Sequence, residues 1–363
     1  MNLNDYIKLI EPVDCSITEQ AQKRWDSIAK PLKSLGKLET AVNRIAAITG
    51  ERGKIDVSKA ALLVMCADHG VVAEGVTQTD SSVTKIVTDS FQNSETTVTV
   101  MSKVNGVDVF PVDVGIDCEK YENKELKPFA VADRKIKRGT NDILFEDAMT
   151  REECKKAIVV GIECVSKLKE KGYKIIATGE MGIGNTTPTS VLSGIILNLS
   201  AEKITGKGAG LSKEGIKRKT EVVEKTIERI EKKYKKDDIL GILSSGGGLE
   251  IAAMTGIFIG GAVYKIPIIA DGVISTLSAV IAKEIAPCGE YIFASHISAE
   301  PAGRILNEKL GADTYIDCNM CLGEGTGAVA VIPILKTAVE VYNSMSTFSD
   351  FKMESYKDFE KER

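Results

Sequence analysis

The sequence has two histidines in 363 residues and only 5% aromatic side chains. Its eight cysteines contain no CxxC…CxxC pattern, and Cys318 and Cys321 form one isolated CxxC. With so few imidazoles beside that pair, neither a zinc nor an iron–sulfur centre is expected. The thiols read as buried, reduced side chains. No acidic cluster calls for Mg²⁺, and no Ser/His/Asp or Cys/His arrangement marks a nucleophile. The expectation is chemistry without a metal, a cofactor or a covalent intermediate. No run of about 20 apolar residues suggests a membrane span, and no signal peptide opens the chain, so a cytoplasmic protein is expected. A net charge of −4 gives no general attraction for nucleic acid or an anionic membrane. Sparse aromatics beside 32 glycines argue against a β-sandwich and for the tight strand–helix turns of an α/β protein.

At 43% hydrophobic, the chain has enough apolar surface for a sizeable core. Six short apolar runs recur, at 60–66, 107–114, 174–179, 237–243, 266–271 and 290–295, each ending near Asp, Gly, Ser or His. Helical patterns separate most of them. Strands buried on both faces of a parallel sheet read this way. The polar ends then gather at the carboxyl edge of the sheet, where open α/β sheets bind ligands. Residues 1–50 read as helices, interrupted by Pro31 and Gly36. The charged tail after about 345 is expected to fray or pack loosely.

Five stretches carry candidate chemistry. "GEMGIGNTTPTS" (Gly179–Ser190) reads as strand, glycine turn and helix start. Gly182 and Gly184 allow close backbone approach, Thr186 or Thr187 suits a helix cap, and Pro188 suits the first turn. It reads either as an anion-holding loop or as an ordinary glycine turn with a threonine cap. It does not match the nucleoside triphosphate loop. "LGEGTGA" (Leu322–Ala328) sets Glu324 between two glycines. It is suited to a general base whose pKa burial raises, or to a helix-terminal Glu favouring the dipole. "CADHGVVAEGV" ends a strand in Asp68 and His69. "SSGGGLEIAAMTG" is a second glycine turn feeding a helix. "SHISAEPAG" carries His296, Ser295, Ser298 and Glu300.

Taken with "KPLKSLGKLE", "VDVGID" and "DGVIST", these blocks resemble, in order and over nearly the whole chain, the nicotinate-nucleotide–dimethylbenzimidazole phosphoribosyltransferases of cobamide lower-ligand activation. The resemblance implies transfer of phosphoribose from nicotinate mononucleotide to an aromatic base, with inversion at ribose C1′. The products would be an α-riboside 5′-phosphate and nicotinate. It implies Glu324 as the base and Glu180 as a second catalytic carboxylate. Gly179, Gly182, Gly184, Asn185, Thr186, Thr187, Lys219, Gly246, Gly247, Asp271 and Ser295 would hold the nucleotide. Thr79, Asp80, Val87 and Leu322 would line the acceptor pocket. The implied fold is a large Rossmann-like α/β domain over 55–330 with a parallel sheet. A small helical domain would come from 1–50 and about 330–363. The implied partner is a second copy of the chain, or a similar chain in a heteromer.

The chain departs from the family pattern at the acceptor side. Thr79-Asp80 stand where a small residue and Pro are frequent, and Val87 stands where Gln is frequent. These departures leave a phenolic or purine acceptor as an alternative to dimethylbenzimidazole. A dinucleotide-binding oxidoreductase lacks its G-x-G-x-x-G fingerprint here. A non-catalytic partner subunit is disfavoured by the presence of both Glu180 and Glu324.

Overall fold

A computed structural model describes residues 1–357. Six strands form one parallel sheet: β1 Ala60–Ala67, β2 Val107–Gly115, β3 Ala132–Asp133, β4 Ile175–Met181, β5 Ile268–Ala270 and β6 Ile292–Ala294. Their order is β3-β2-β1-β4-β5-β6, the doubly wound arrangement that reverses direction between β1 and β4. All eight residues of β1 are buried. The sequence "AALLVMCA" offers no polar side chain to either face, so helices must cover both. Helices Leu249–Tyr264 and Ser82–Asn93 both pack on β1, and Arg151–Glu170 packs in turn on Leu249–Tyr264.

One of the six expected strands needs correction. Residues 237–243 belong to no strand, because Ile239–Gly246 is a helix. The Asp238 side chain caps it by accepting from the Gly241 amide at 3.0 Å. Ile239, Ile242 and Leu243 are spaced at 0, +3 and +4, which suits one helix face as well as a short strand. The remaining strand, β3, is two residues long and is defined by its pairing with Val112 and Asp113.

At the chain ends, helices Cys15–Ser27 and Lys37–Thr49 pack on each other, and Lys37–Thr49 on the long helix Thr326–Ser344. Pro31 and Gly36 fall in the break between the first two. The Trp25 ring meets Tyr342 edge-on at 5.2 Å. The start of the tail is held more firmly than its composition suggests. Phe348 is 2% exposed, and its amide donates to the Ser27 carbonyl at 3.0 Å. Residues 358–363, also included in the expected loose tail, lie outside the described residues.

Candidate active site

Beyond the carboxyl ends of β4 and β5 lies a cavity of about 270 Å³. It is next to the point where the strand order reverses, between β1 and β4, on the sheet edge where such folds bind ligands. Its walls are the ends of β4 and β5, a second glycine-rich loop at 207–211, and the segment Cys321–Glu324.

Glu180 is the penultimate residue of β4 and is 8% exposed. One carboxylate oxygen accepts from the Asn185 side-chain amide. The other accepts a long bond, 3.4 Å, from the Glu324 backbone amide. Burial, with the charges of Asp271 and Glu250 adding to it, pushes Glu180 up to about 8.

Glu324 is held in an unusual backbone. Gly323, Glu324 and Gly325 have φ values of 93°, 59° and 96°, three left-handed residues in a row. For glutamate that conformation costs about 1–2 kcal/mol. Two groups hold it there. The Asp271 carboxylate, just after β5, accepts from the amides of Gly327 at 2.7 Å and of Gly325 and Ala328 at 3.1 Å. It thereby caps helix 326–344 from a distance. From below, Gly179 lets β4 touch the loop, since a methyl group there would strike the Glu324 carbonyl oxygen. Gly179→Ala is therefore expected to cost about 1–3 kcal/mol by overpacking and to lower activity by shifting Glu324. Urea denaturation alongside turnover would check it. The Glu324 carboxyl group is pushed above its ordinary range by burial, against the pull of the Val98 amide. Its Oε2 has no hydrogen-bond partner among the described residues.

The loop after β4 turns at Gly184, with φ 87°, into helix Thr186–Leu197. Neither Thr186 nor Thr187 is its cap. Asn185 holds that position, and its side chain is engaged with Glu180. Gly182, Gly184, Asn185 and Thr186 line the cavity. Lys219, 1% exposed, reaches from helix Lys213–Lys233 to donate to the Thr186 hydroxyl at 2.7 Å and the Gly206 carbonyl at 3.3 Å. Burial pulls it down to about 8, and the Glu300 charge opposes that pull.

The other candidates distribute unevenly. Asp271 and Leu322 line the cavity. Thr187, Gly179, Gly246, Gly247 and Ser295 do not line it. Gly246 ends helix 239–246 and Gly247 caps it, and neither lines this cavity. A methyl group at Gly246 would meet Ile230 and Val191, and one at Gly247 would meet the Leu243 carbonyl. Their smallness serves helix packing. Ser295 Oγ lies 2.8 Å from His296 Nδ1, so it orients a cavity residue without being one. Thr79 and Asp80 are exposed outside this cavity, with Asp80 accepting from the Ser82 amide at 2.9 Å. Val87 packs partly buried against the core. The cavity also contains residues not placed there from the sequence: Gln78, Lys207, Gly208, His296, Glu300 and Cys321 among them. Gln78 donates to the Ala209 carbonyl at 3.2 Å and to that of Gly210, tying two walls together. The stretch "TGKGAG" (Thr205–Gly210) was the available signal for the second loop.

Comparison with known proteins identifies the family. The family model described as "Phosphoribosyltransferase" matches residues 10–352. The nicotinate-nucleotide–dimethylbenzimidazole phosphoribosyltransferase of Ruminiclostridium cellulolyticum is 42% identical over 99% of this chain and 100% of its own. That of Clostridium acetobutylicum is 38% identical over 98% and 99%. The crystal structure of CobT from Thermus thermophilus superposes with a TM-score of 0.86 at 32% identity, covering 94% of this chain and 100% of that one. The chain is thus a phosphoribosyltransferase and belongs to the nicotinate-nucleotide–dimethylbenzimidazole phosphoribosyltransferase family.

Proposed function

We propose that the chain transfers the phosphoribosyl group of nicotinate mononucleotide to a ring nitrogen of an aromatic base of the dimethylbenzimidazole class. The observation that carries the mechanism is that Glu180, buried at the end of β4, accepts from the backbone amide of half-buried Glu324 at 3.4 Å, with both residues lining the cavity beside the glycine-rich loop. In the reaction the C1′–nitrogen bond to the pyridinium ring breaks, and its electron pair stays on nicotinate. No protonation of this leaving group is needed. The ring nitrogen with a free in-plane lone pair bonds C1′ from the opposite face, and the N–H proton of the base passes to Glu324, whose raised pKa suits that task. Glu180, with a pKa of about 8, keeps its proton at neutral pH and so both donates to and accepts from ribose hydroxyls. The loops at 182–186 and 206–210, with Lys219 behind them, form the phosphate end. Leu322 bounds the acceptor side, with Thr79, Asp80 and Val87 proposed to set its selectivity.

The test is a product assay. Purified chain is given nicotinate mononucleotide with dimethylbenzimidazole, benzimidazole, adenine, phenol and p-cresol, and products are identified by mass. A nitrogen-linked α-riboside phosphate is expected. A phenolic riboside would keep the transferase and overturn the acceptor class; no product under any condition would overturn the reading.

Glu180 also makes stability depend on pH. Its folded pKa of about 8 lies above its ordinary value near 4.5. The folded state therefore holds this proton more tightly than the unfolded one. Stability is full below about pH 4.5 and falls as pH rises through 8, by on the order of a few kcal/mol. Thermal melts of ligand-free protein are expected to show this loss, and Glu180→Gln is expected to flatten it.

The proposal extends to organisation. Helices 15–27, 37–49 and 326–344 would form a small helical unit beside the α/β unit. The working form would be a dimer of this chain, to be checked by light scattering, with a heteromer as the competing outcome. A cytoplasmic location fits the finding that no helix among the described residues is long and apolar enough to cross a membrane.

A further inference from the structure

The eight thiols fall into two groups, and one group departs from the expected burial. Cys66, Cys154, Cys164 and Cys288 are buried. Burial pushes Cys154, Cys164 and Cys288 up to about 12 and Cys66 higher still. These four are packing residues, because the thiolate is the reacting form. Cys118 is half-buried and is also raised by burial. Cys15, Cys318 and Cys321 are exposed, where cysteine is uncommon. Cys15 stands alone at the start of helix 15–27. Cys318 and Cys321 share one loop, at CxxC spacing.

That loop leads directly to Glu324. Upstream it is anchored beside the end of β6. The Ile316 amide donates to the Ser295 carbonyl at 3.3 Å, and the Ile297 amide to the Ile316 carbonyl at 3.4 Å. Downstream it is anchored by the bond from the Glu324 amide to Glu180. Between these points residues 317–322 are held, among the described residues, by one hydrogen bond, from the Ala299 amide to the Met320 carbonyl at 3.0 Å. Asn319, between the two thiols, is left-handed with φ 53°, so the chain bends there. Across a four-residue turn the end Cα atoms lie within about 7 Å, close to the roughly 4.4–6.8 Å that a disulfide spans. Closing the pair therefore asks only for a local change. Cys321 lines the cavity, with Leu322 and Glu324 after it. No group of three or more potential metal ligands occurs among the described residues, so the donor set suits a bridge between the two sulfurs better than a bound ion.

We propose that Cys318 and Cys321 form a dithiol modification site, which a small disulfide oxidises to an intramolecular bridge that lowers turnover by displacing Glu324. One thiolate attacks the small disulfide, forms a mixed disulfide and releases one small thiol. The second attacks the protein sulfur of that mixed disulfide and releases the other. Two S–H bonds are lost, one S–S bond forms in the protein, and the small disulfide is reduced to two thiols. In a reducing compartment such bridges are transient and redox-sensing. The bridge ties the Cys321 side chain to Cys318 and re-aims this stretch of the cavity wall. Gly323 has no side chain to resist, so the movement passes to Glu324, where a shift near 1 Å costs about 100-fold. The loops at 182–186 and 206–210 lie outside this segment, so the KM for nicotinate mononucleotide changes little. The effect on turnover rests on the reading of Glu324 as the base; the site itself does not.

The experiment uses the full chain carrying Cys15→Ser, which removes the third exposed thiol. The reduced protein is equilibrated with glutathione disulfide and digested with trypsin. The peptide 310–336 holds Cys318 and Cys321 and no other cysteine. It is expected to be lighter by two hydrogen atoms and to carry no glutathione. Turnover of the bridged protein is expected to fall by about tenfold or more and to return with dithiothreitol. Cys318→Ser, outside the cavity, is expected to match its parent while reduced. It cannot close the bridge, so its peptide is expected to retain one glutathione on Cys321. A peptide 310–336 that keeps glutathione without Cys318→Ser, or that stays unmodified, would overturn the dithiol site. A bridged protein with undiminished turnover would overturn the effect on Glu324. Absence of product from the reduced protein would instead sink the functional reading, and the peptide masses would still decide whether the bridge forms.

Discussion

Glu324→Gln is expected to lower kcat by about 10²–10⁴-fold while leaving the fold intact. The substitution preserves shape and the left-handed backbone, and it removes only the ability to take a proton. The carboxyl group lines the cavity with Oε2 unpartnered among the described residues and its pKa raised by burial against the pull of the Val98 amide, so it is suited to take up a proton. Nicotinate leaves as a neutral pyridine without help, which places the proton problem on the acceptor. The loss should therefore fall mainly on kcat, with little change in the KM for nicotinate mononucleotide. Glu324→Gly makes the complementary point. It removes the strain of a φ of 59° and is expected to be as inactive as Glu324→Gln, with a thermal midpoint no lower than that of the unsubstituted chain. A variant of Glu324→Gln retaining more than about a tenth of the original turnover would remove this residue from the role of base.

The second large effect is expected at a residue that does not need to touch the reacting atoms. Asp271→Ala deprives the amides of Gly325, Gly327 and Ala328 of their acceptor at once. Unsatisfied amides at a buried helix start cost about 2–4 kcal/mol in total, reduced by relief of a buried carboxylate that itself resists ionisation. Without the cap the three left-handed residues lose the contact that holds them, and Glu324 moves. A displacement of about 1 Å from the reacting centre is enough for a loss near 100-fold. Asp271→Asn keeps an acceptor for one or two of the amides and should fall between. Turnover and chemical denaturation measured together distinguish this from a direct role: loss of activity with unchanged stability would contradict the capping account.

How far these features could be read in advance depended on what each residue pattern records. β1 was legible because "AALLVMC" gives a buried strand no polar alternative, and β4 because "KIIATG" runs a short apolar stretch straight into a glycine turn. Residues 237–243 were misread because a seven-residue apolar run carries too little period to separate a strand from a helix turn. The Asp238 cap was the overlooked cue. β3 was not legible at all, since two residues become a strand only by lying beside β2. At the site, Glu180 and Glu324 stood out because glycines flank or follow them. Glycine is ambiguous in the same way, however. At 182 and 184 it opens room toward the cavity, and at 246 and 247 it opens room for a neighbouring helix. Lys219 came only through family resemblance, because a lysine in a helix rich in lysines carries no local mark. Glu300 and His296 were noticed as polar ends, yet only the folding of 295–303 against β5 brings them to the cavity.

The run of left-handed residues at 323–325 has one more consequence, concerning handedness. Over three peptide units the chain follows the backbone path natural to D-amino acids. Two of these positions are glycine, which is achiral, so at the lip of the catalytic crevice the protein has largely given up the chirality of its own polymer. A chemically synthesised chain with D-alanine at position 325 would meet its preferred torsion angles there, where L-alanine would be strained and driven toward Leu62. The one L-residue kept in the mirror-image stretch is the glutamate. Its side chain leaves the backbone in a direction that a D-residue following the same path would not reproduce.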